Sequence, residues 1–589
     1  MIGAGGVHAV PIAIVGLAAR VPGAEDAEAF WELLLRGRTA DTRDGTERMR
    51  GFRPELAGVD APTAALFEDL SGFDARLFGI SPRLATWMDP QQRMLLEASW
   101  HALESAGIAP ETLRGTDTAV YVSTTAGDWR QRMADAGVVD RYSALGLLLT
   151  YLSSRISFQY DLHGPSMTVD TACSGGLSAV GLAVSGLRAG EYRCAIAASA
   201  NHYLHGYMHA VMMRFGALSP SGRAANFDES ADGYLRGEGV FCFVLKRLED
   251  SLADGDPVHA VIRGSQLNHD GRTGGMALLD SGSLARLIDA AAGQADLDAS
   301  DLGYVEMHAA GTQLGDSREL QGILRALELS GRGMSEPMSG PDEKLWVGSV
   351  KANIGHLEGA AGAASLAKAV LILRNGLIPA TPGVTRVNHR IDLAGVPVRI
   401  ARTPVPWPGD GRRPRRAGVN SCGVGGSNAH VVVEEPPQRA IQRGTAEGRL
   451  RPIPLSTACE AAMTATATAL GDFLDRHAVP SFDTIAWTLQ TGRAQLKVRR
   501  VLLARDRAEL AEAAAALARG EKSAAVLSPG QQAQAIPEAG VWLHGGDVDW
   551  SAGWGPEPPV RAPLVPYPFQ RQRFWFDEPE VEPAGGLAP

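Results

Sequence analysis

One cysteine, Cys173, stands where an extended apolar segment gives way to a glycine-rich, amphipathic helix. Backbone N–H groups at the start of a helix lack intrahelical partners, and the helix dipole is positive there, so both favour a thiolate. The small side chains after Cys173 leave room for a substrate to approach the sulfur. These features predict a nucleophile, with a buried structural cysteine as the alternative. The predicted buried face of the helix consists of Leu177, Val180, Val184 and Leu187.

Two downstream histidines favour the nucleophile over the structural cysteine. His308 leaves a short apolar strand, residues 303–305, and enters a loop of small residues. His356 lies in residues 348–362, a segment that also leads from a strand into a small-residue loop. Both patterns place a polar side chain at the edge of a rigid support, where reactive groups are often found. A soft sulfur nucleophile suits attack on a thioester carbonyl, and an imidazole can donate a hydrogen bond or move a proton beside it.

Alternating strand-like and helical segments would position these residues. Apolar strand-like segments lie at residues 195–198, 241–245 and 260–262, and helical segments rich in alanine and leucine separate them. This alternation predicts a layered α/β domain. A last strand at residues 429–433 is followed by polar, proline-bearing sequence, which predicts a domain edge near residue 436.

Length and composition fit one large domain with smaller companions. The chain has 589 residues, of which 45% are hydrophobic. Its 56 basic and 66 acidic residues give a net charge of −10, and no basic run marks a surface for nucleic acid or a membrane. The five cysteines are odd in number and widely spaced, so neither a disulfide framework nor a zinc site is expected. We therefore predict a cytoplasmic protein that binds no metal, no nucleic acid and no membrane.

The candidate catalytic motifs belong to a longer ordered series. Seven further blocks extend over about 420 residues, an order that chance does not reproduce. They are VPIAIVG at 10–16, MDPQQR at 88–93, GPS at 164–166, ALSPSGR at 217–223, DGYLRGEG at 232–239, NHDG at 268–271 and GGSNAH at 425–430. With Cys173, His308 and His356, these blocks resemble the β-ketoacyl synthase family, most closely the ketosynthase domains of modular polyketide synthases. The resemblance implies a thiolase-like fold of two similar layered α/β halves over residues 1–436, usually an intimate homodimer.

Residues beyond 436 resemble the pieces that flank an acyltransferase in modular synthases. Residues 437–540 are similar to the small α/β subdomain that links a ketosynthase to an acyltransferase. Residues 541–576 are similar to the extended tail that normally follows the acyltransferase, and we expect this tail to dock back on the ketosynthase. Residues 577–589 are rich in proline, glutamate, alanine and glycine, which predicts an interdomain linker.

The catalytic acyltransferase itself is missing between these pieces. Val541 follows Gly520 by only 21 positions, too few for such a domain, and no Gly-His-Ser-x-Gly motif occurs in the sequence. The resemblance therefore implies an assembly line of the trans-acyltransferase type, in which a separate acyltransferase supplies the extender. An engineered deletion is the alternative.

The resemblance also assigns a reaction to the three catalytic motifs. Cys173 would accept an acyl group from the 4′-phosphopantetheine arm of an upstream acyl carrier protein. A malonyl-type extender on a downstream carrier protein would then lose CO2, and its enolate would attack the acyl group. His356 would donate to the developing enolate oxygen, and His308 would assist decarboxylation or orient a water. No cofactor is expected to bind directly, because the substrates arrive on carrier-protein arms.

Other residues of the same motifs receive supporting roles. Lys351 would bias nearby protonation states as an ammonium, Glu358 would hold its loop through hydrogen bonds, and Asn353 is assigned to the same supporting group. The N–H groups of Cys173 and Val424 would form the oxyanion hole for acyl transfer, because the glycine-rich loop brings its backbone close to a ligand.

Substrate-binding residues are expected in the loops after His308 and before the last strand. They are Thr312, Ala310, Cys422, Gly425, Gly426 and Ser427. Many relatives have threonine at the position of Ala310, so Thr312 must bind the pantetheine arm alone. Relatives usually have phenylalanine at the position of Cys422, so a roomier pocket is expected. A catalytic base at Cys422, as in degradative thiolases, is the alternative to a residue that only fills space.

Polyketide chain elongation by decarboxylative Claisen condensation is the function that the resemblance implies. Two alternatives stay open: a gating domain that passes acyl chains on without condensing them, and a ketosynthase of a β-branching module that works with conjugate addition. Relatives in the gating state often lack the first histidine, and His308 is present. The expected partners are the two acyl carrier proteins, the separate acyltransferase and a second copy of the chain.

Overall fold

The computed structural model describes residues 9–125, 127–330, 338–409, 411, 413–437, 448–530, 536–555 and 557–576. Its largest element is a sheet of 11 strands. In chain order these are β1 (Ile12–Arg20), β2 (Ala119–Ser123), β3 (Ser166–Val169), β4 (Cys194–Asn201), β5 (Gly239–Arg247), β6 (Ala260–His269), β7 (Tyr304–Glu306), β8 (Leu345–Gly348), β9 (Val398–Ile400), β10 (Arg416–Cys422) and β11 (Ser427–Glu434).

Helices of eight or more residues surround the sheet and the smaller unit that follows it. Within the described ranges these are α1 (Ala27–Leu35), α2 (Pro90–Ser105), α3 (Asp128–Asp135), α4 (Tyr151–Tyr160), α5 (Gly175–Ala189), α6 (Tyr207–Arg214), α7 (Ser281–Gly293), α8 (Gln313–Leu329), α9 (Ala361–Asn375), α10 (Glu460–Arg476), α11 (Phe482–Thr491) and α12 (Arg507–Ala518). None of the described helices has both the length and the apolar character needed to cross a membrane.

The large sheet consists of two halves with the same strand order. Across the sheet the order is β9-β8-β7-β10-β11-β6-β1-β5-β4-β2-β3. The first half contains β1 to β5, and the second contains β6, β7, β8, β10 and β11. If the strands are numbered separately in each half, both halves have the order 3-2-4-5-1 from the outer edge to the centre of the sheet. Strand β9 is an additional strand at the outer edge of the second half. In each half the first three of these strands are parallel to one another, and the last two pair antiparallel with their neighbours. The halves meet where β1 pairs with β6, and the predicted pair of similar α/β halves is therefore observed.

Two buried helices, α5 and α9, form a layer between the halves. Leu177 of α5 and Leu366 of α9 belong to one buried cluster with strands of both halves. The helices cross closely, because a Cβ on Gly176 would lie only 2.7 Å from the backbone nitrogen of Ala363. Helix α2 packs on the outer face of the first half, and α7 and α8 on that of the second. The predicted buried face of α5 is confirmed, with Leu177, Val180, Val184 and Leu187 each at most 1% exposed.

A smaller α/β unit follows the large sheet. Its three antiparallel strands are β12 (Arg451–Thr457), β13 (Val498–Ala504) and β14 (Val526–Leu527), and α10, α11 and α12 pack on them. The unit is joined to the first half at the end of α2, where Arg493 donates a hydrogen bond to the carbonyl of Glu104 (2.9 Å). The boundaries 437–540 for this unit stay a prediction.

Residues 557–576 form a strap that contacts the smaller unit, where Leu564 joins its buried cluster, and then extends along the first half. A short ladder pairs Gln572–Arg573 with Gly72–Phe73, and Arg571 forms an ion pair with the buried Glu97 (2.9 Å). Three of its five aromatic side chains, Tyr567, Phe574 and Phe576, are buried against the large domain and at most 7% exposed, and the other two are half-buried there. The linker prediction for residues 577–589 falls outside the described residues.

Replacing Phe576 by alanine is expected to lower the free energy of unfolding by about 3 kcal/mol. The ring is 4% exposed, and its centroid lies 5.0 Å from that of Trp129 and 6.1 Å from that of Trp87. Chemical denaturation of the whole chain measures the loss. Val139→Ala is the control, because Val139 is 90% exposed and its truncation should change little. A Phe576 variant as stable as that control would show that the strap does not pack this way in solution.

Candidate active site

Cys173 lies in a strained turn between β3 and α5. The preceding residue, Ala172, has a φ of 52°, a left-handed conformation that is unfavourable for a residue with a Cβ. Helix α5 begins at Gly175, two residues after Cys173, so the sulfur lies at the predicted helix start. A Cβ on Gly175 would lie 2.0 Å from Ser123 Oγ, so only glycine fits there. The second half also holds the turn, because Ser421 Oγ donates to the Cys173 carbonyl (2.8 Å).

The three predicted catalytic side chains meet in one cavity. The Sγ of Cys173 and one ring nitrogen each of His308 and His356 all lie within 4.8 Å of one another. The imidazole centroids are 5.2 Å apart, and the ring planes are inclined at 79°. All three groups line a cavity of about 310 Å³. A thiol and two imidazoles are also ligands that zinc accepts, and the absence of a metal stays a prediction.

The partner of His356 Nδ1 assigns the proton of this ring to Nε2. The backbone N–H of Glu358 donates to Nδ1 over 2.9 Å, so Nδ1 is the unprotonated acceptor. The main chain of His356 is held on both sides: its N–H donates to the Leu235 carbonyl (2.7 Å), and its carbonyl accepts from the Gly237 N–H (3.0 Å). Nε2–H is therefore the hydrogen-bond donor that this ring offers to the cavity.

His308 has the same arrangement. The backbone N–H of Cys422 donates to its Nδ1 over 3.3 Å, which again leaves the proton on Nε2. Burial, and after it the Lys351 ammonium, lowers the pKa of both rings well below the usual value. Both imidazoles are therefore neutral at pH 7. The cavity presents two N–H donors next to one sulfur.

An ion pair behind His356 fixes the Glu358 peptide. Glu358 has a left-handed φ of 44°, and its carboxylate accepts from Arg236 Nε (2.8 Å), from Arg236 Nη2 (3.2 Å) and from the Tyr234 hydroxyl (2.9 Å). The Arg236 side chain is only 4% exposed, so its charge depends on this pairing. The carboxylate and the backbone N–H of Glu358 thus both make hydrogen bonds at this loop, and its supporting role stays a prediction.

Glu319 is a site residue that the sequence analysis did not include. Its buried carboxylate accepts hydrogen bonds from the N–H groups of His308 and Ala309, both at 2.7 Å, and from Asn420 Nδ2 at 2.9 Å. It therefore fixes the backbone from which His308 projects. One feature of the sequence could have revealed Glu319. It lies beside Leu320 on the buried face of α8, and a buried carboxylate needs hydrogen-bond partners.

The two supporting residues of the His356 segment differ in position. Lys351 is 2% exposed, and its Nζ has no hydrogen-bond partner within the described ranges. Burial lowers the pKa of Lys351, whereas Glu306 and Glu319 raise it. Its charge lowers the pKa of both imidazoles, and its supporting role in the reaction stays a prediction. Asn353 instead donates to the carbonyl of Arg38 (3.2 Å) and is not among the described residues that line the cavity.

Burial raises the pKa of Cys173 to about 12. The Glu358 carboxylate raises it further, whereas Lys351 and the N–H groups of Val424 and Cys173 itself lower it. The predicted thiolate is therefore wrong for Cys173 at neutral pH, because burial outweighs the groups that favour the anion. The two N–H groups that act on the sulfur are those assigned to the oxyanion hole, so they lie next to the reacting atom.

Alkylation of Cys173 by iodoacetamide is expected to accelerate about tenfold per pH unit up to at least about pH 9, because the thiolate reacts and the pKa is raised. Lys351→Met removes a cation that lowers this pKa and should slow alkylation. Glu358→Gln removes an anion that raises it and should accelerate alkylation. Peptide mass spectrometry measures the modified fraction, with the partly exposed Cys459 as the internal reference. A rate that levels off near neutral pH would contradict the neutral resting thiol.

The predicted substrate-binding residues divide into two groups. Thr312, Ala310, Cys422 and Gly426 line the cavity, together with Val424. Gly425 and Ser427 are not among the described lining residues, and their carbonyls instead accept hydrogen bonds that hold the loop, from His269 Nε2 (2.9 Å) and from the Gly423 N–H (2.7 Å) respectively. Cys422 is 8% exposed, and its backbone N–H orients His308.

Family models match most of the chain in the order of this architecture. The model described as "Beta-ketoacyl synthase, N-terminal domain" matches residues 9–251, "Beta-ketoacyl synthase, C-terminal domain" matches 259–385, and "Ketoacyl-synthetase C-terminal extension" matches 388–503. The solved oxazolomycin ketosynthase domain of Streptomyces albus JA3453 is 31% identical, with a TM-score of 0.85 over 96% of this chain and 98% of that one. The chain belongs to the β-ketoacyl synthase family. It is a ketosynthase of the polyketide synthase type, a condensing acyltransferase that depends on a cysteine.

Other relatives of this ketosynthase agree. The ketosynthase from module 6 of the bacillaene synthase of Bacillus subtilis 168 has a TM-score of 0.84 and 28% identity, and the match covers 96% of this chain and 100% of that one. These structures confirm the predicted thiolase-like fold. Erythronolide synthase EryA2 of Saccharopolyspora erythraea is 40% identical over 88% of the ketosynthase, and a phenolphthiocerol/phthiocerol polyketide synthase of Mycobacterium tuberculosis is 38% identical over 98% of it. The chain spans 14% and 26% of the lengths of these two relatives.

Proposed function

We propose that this ketosynthase elongates a polyketide chain by decarboxylative Claisen condensation. The observation that supports this most directly is the meeting of one thiol and two neutral Nε2–H donors in a single cavity, at Cys173, His308 and His356. A thiol accepts an acyl group, and two N–H donors stabilise the negative charge that forms on an enolate oxygen. Neither donor needs to gain or lose a proton for this role.

In the first step, the thioester of an acyl carrier protein enters the cavity and Cys173 attacks its carbonyl carbon. The developing oxyanion takes hydrogen bonds from the N–H groups of Cys173 and Val424. The bond between the carbonyl carbon and the arm sulfur breaks, and the thiol proton leaves with the phosphopantetheine arm as its free thiol. The product is an acyl group on Cys173.

In the second step, a malonyl-type thioester on another carrier protein binds beside the acyl group. The bond to its carboxylate breaks, CO2 leaves, and the electron pair forms an enolate whose oxygen accepts from His308 and His356. The enolate carbon attacks the acyl carbonyl and displaces the Cys173 sulfur, which recovers a proton from water. The product is a β-ketoacyl chain on the second carrier protein.

The proposed reaction, the short interval before Val541 and the open edge of the sheet together indicate the partners. Upstream and downstream acyl carrier proteins deliver the two thioesters on 4′-phosphopantetheine arms, and a separate acyltransferase charges the extender, since 21 positions are too few for one between Gly520 and Val541. A second copy pairs at the open edge of the sheet, where Met167 of β3 is 48% exposed and the nearby Phe158 of α4 is 87% exposed.

Intact mass spectrometry tests the proposal in two stages. An acyl thioester is added first, and the mass of the protein must rise by one acyl group. Malonyl carrier protein is added next, and the β-ketoacyl product must appear on the carrier while the added mass leaves the ketosynthase. An acyl-enzyme that persists without β-keto product would favour the gating function instead. The placement of His308 as a second donor beside Cys173 favours elongation.

Replacing Arg236 by methionine is expected to move the acid limb of the pH–rate profile to higher pH. In the wild type, burial and then Lys351 and Arg236 lower the pKa of His356; removing Arg236 leaves the Glu358 carboxylate beside the ring and raises that pKa. Protonation would put a hydrogen on Nδ1, opposite the Glu358 N–H, and break the bond that orients His356. Activity is therefore lost as the pH falls through the raised pKa. Glu358→Gln leaves Arg236 as an unpaired cation beside His356. This should lower the pKa of His356 and shift the acid limb to lower pH.

Arg451→Met is the matched control for this pair. Arg451 and Asp483 form a similarly buried ion pair (2.7 Å; side chains 7% and 10% exposed) in the smaller unit. Breaking it should cost stability without moving the acid limb. Condensation rates of the three variants over a range of about pH 5 to 9 supply the comparison. Identical acid limbs for Arg236→Met and Glu358→Gln would show that these charges do not act on His356.

A further inference from the structure

Arg318 brings a positive charge to the catalytic cavity. It lies on α8, six positions after Thr312, and both residues line the cavity. The half-buried guanidinium donates one hydrogen bond within the protein, from Nη1 to the carbonyl of Leu279 (3.1 Å). No carboxylate of the described residues lies within 4.0 Å of it. A guanidinium has five N–H donors in a planar fork, so most of its binding capacity is unused.

The other charged residues that line the cavity are already occupied. Glu319 accepts three hydrogen bonds from the protein, as described above. Asp270 accepts from Asn428 Nδ2 (2.7 Å) and from the Asp280 N–H (3.4 Å). Neither carboxylate pairs with Arg318, so the protein itself does not neutralise this cation. The guanidinium is available to a ligand.

Arg318 is held by a loop that lines the cavity and reaches the protein surface. Its hydrogen-bond partner Leu279 belongs to a loop that reaches the surface, where Met276 lines the same cavity and is 86% exposed. A substrate that reacts at Cys173 and extends along this loop would meet the guanidinium.

We propose that Arg318 is a substrate-binding residue that recognises an oxyanion located away from the reacting thioester. This inference rests on the proposed function, because it concerns the same substrate in the same cavity. Arginine binds phosphate and carboxylate oxygens in the bidentate geometry that its fork allows. Two sources of such an oxyanion are the phosphodiester of the carrier-protein arm and a carboxylate on the acyl chain. Arg318 gives the cavity a preference for anionic thioesters over neutral ones of the same length.

Three matched thioesters distinguish the two sources: an S-acyl pantetheine, the corresponding S-acyl 4′-phosphopantetheine, and an S-acyl pantetheine whose acyl chain ends in a carboxylate. Acylation of Cys173 is followed by intact mass spectrometry over a range of concentrations for the wild type and Arg318→Gln. We expect Arg318→Gln to raise the half-saturating concentration of an anionic thioester about tenfold to a hundredfold, the range of a charge-assisted hydrogen bond, and to leave the neutral thioester unchanged. Arg318→Lys should keep part of the preference.

Arg325→Gln is the matched control, because Arg325 is on the same helix two turns further on and is exposed outside the cavity. A loss confined to the phosphorylated thioester assigns the oxyanion to the arm, and a loss confined to the carboxylated one assigns it to the acyl chain. Equal half-saturating concentrations in wild type and Arg318→Gln for all three thioesters would overturn the proposal. If instead none of the three acylates wild-type Cys173, the proposed function itself has failed, which is a different result.

Discussion

Replacing Cys173 by alanine is expected to abolish acyl transfer, with a loss of about a thousandfold or more in the rate of acylation. In the proposed reaction the sulfur is the atom that bonds to the acyl carbon, and neither of the two imidazoles beside it can take over that bond. Its neighbours within 4.8 Å are two imidazoles whose Nδ1 lone pairs are occupied and whose Nε2 atoms carry protons. The measurement is the mass of the protein after incubation with an acyl thioester.

Cys422→Ala supplies the control for this experiment. Cys422 lines the same cavity, and burial raises the pKa of its thiol well above the usual value, so we expect it to act by filling space. The variant should still acquire one acyl group and should still condense. If Cys173→Ala were acylated as fast as the wild type, the assignment of the nucleophile would be wrong. If Cys422→Ala condensed no longer, the alternative of a catalytic base at this position would be favoured.

Replacing His356 by alanine is expected to slow condensation by about a hundredfold to a thousandfold, the usual cost of one lost donor to a developing oxyanion. Acylation of Cys173 should change far less, because the N–H groups of Cys173 and Val424 serve that step. His308→Ala should show the same split. Rapid-quench measurement of acyl-enzyme and of β-keto product separates the two steps.

His356→Gln tests the role of the donor more closely than alanine does. A glutamine amide can present an N–H near the position of Nε2, so this variant should recover part of the lost rate. His389→Ala is the control, because His389 is a largely exposed histidine that pairs with Glu229 on the surface (2.8 Å). Condensation at the wild-type rate in both His308→Ala and His356→Ala would show that neither imidazole stabilises the enolate.

The residues with a local sequence pattern were the ones that could be predicted. Cys173 precedes a helix with a clear apolar face, and His308 and His356 each follow a short strand, so their positions could be inferred from patterns within about ten neighbouring residues. The alternation of strands and helices likewise indicated a layered α/β domain. The shared strand order of the two halves was not visible in the sequence, because it depends on which strands pair across long separations.

The residues that tune the site could not be predicted in this way. Arg236 meets Glu358 across 122 positions, and Glu319 meets Asn420 across 101, so no local pattern connects them. The resting state of Cys173 was predicted wrongly for a related reason. The helix start is a local feature and favours the thiolate, whereas burial comes from the whole fold and outweighs it.

The equal strand order of the two halves gives Cys173 and His356 a pseudo-twofold relation. Helix α5 follows the third strand of the first half and α9 follows the third strand of the second, so Cys173 and His356 precede counterpart helices. These helices touch where Gly176 faces Ala363. The Cys173 thiol and the His356 ring therefore lie on opposite sides of the contact between α5 and α9. Any shift of that contact alters the spacing of sulfur and imidazole directly, so the duplicated scaffold itself sets the distance between these two groups.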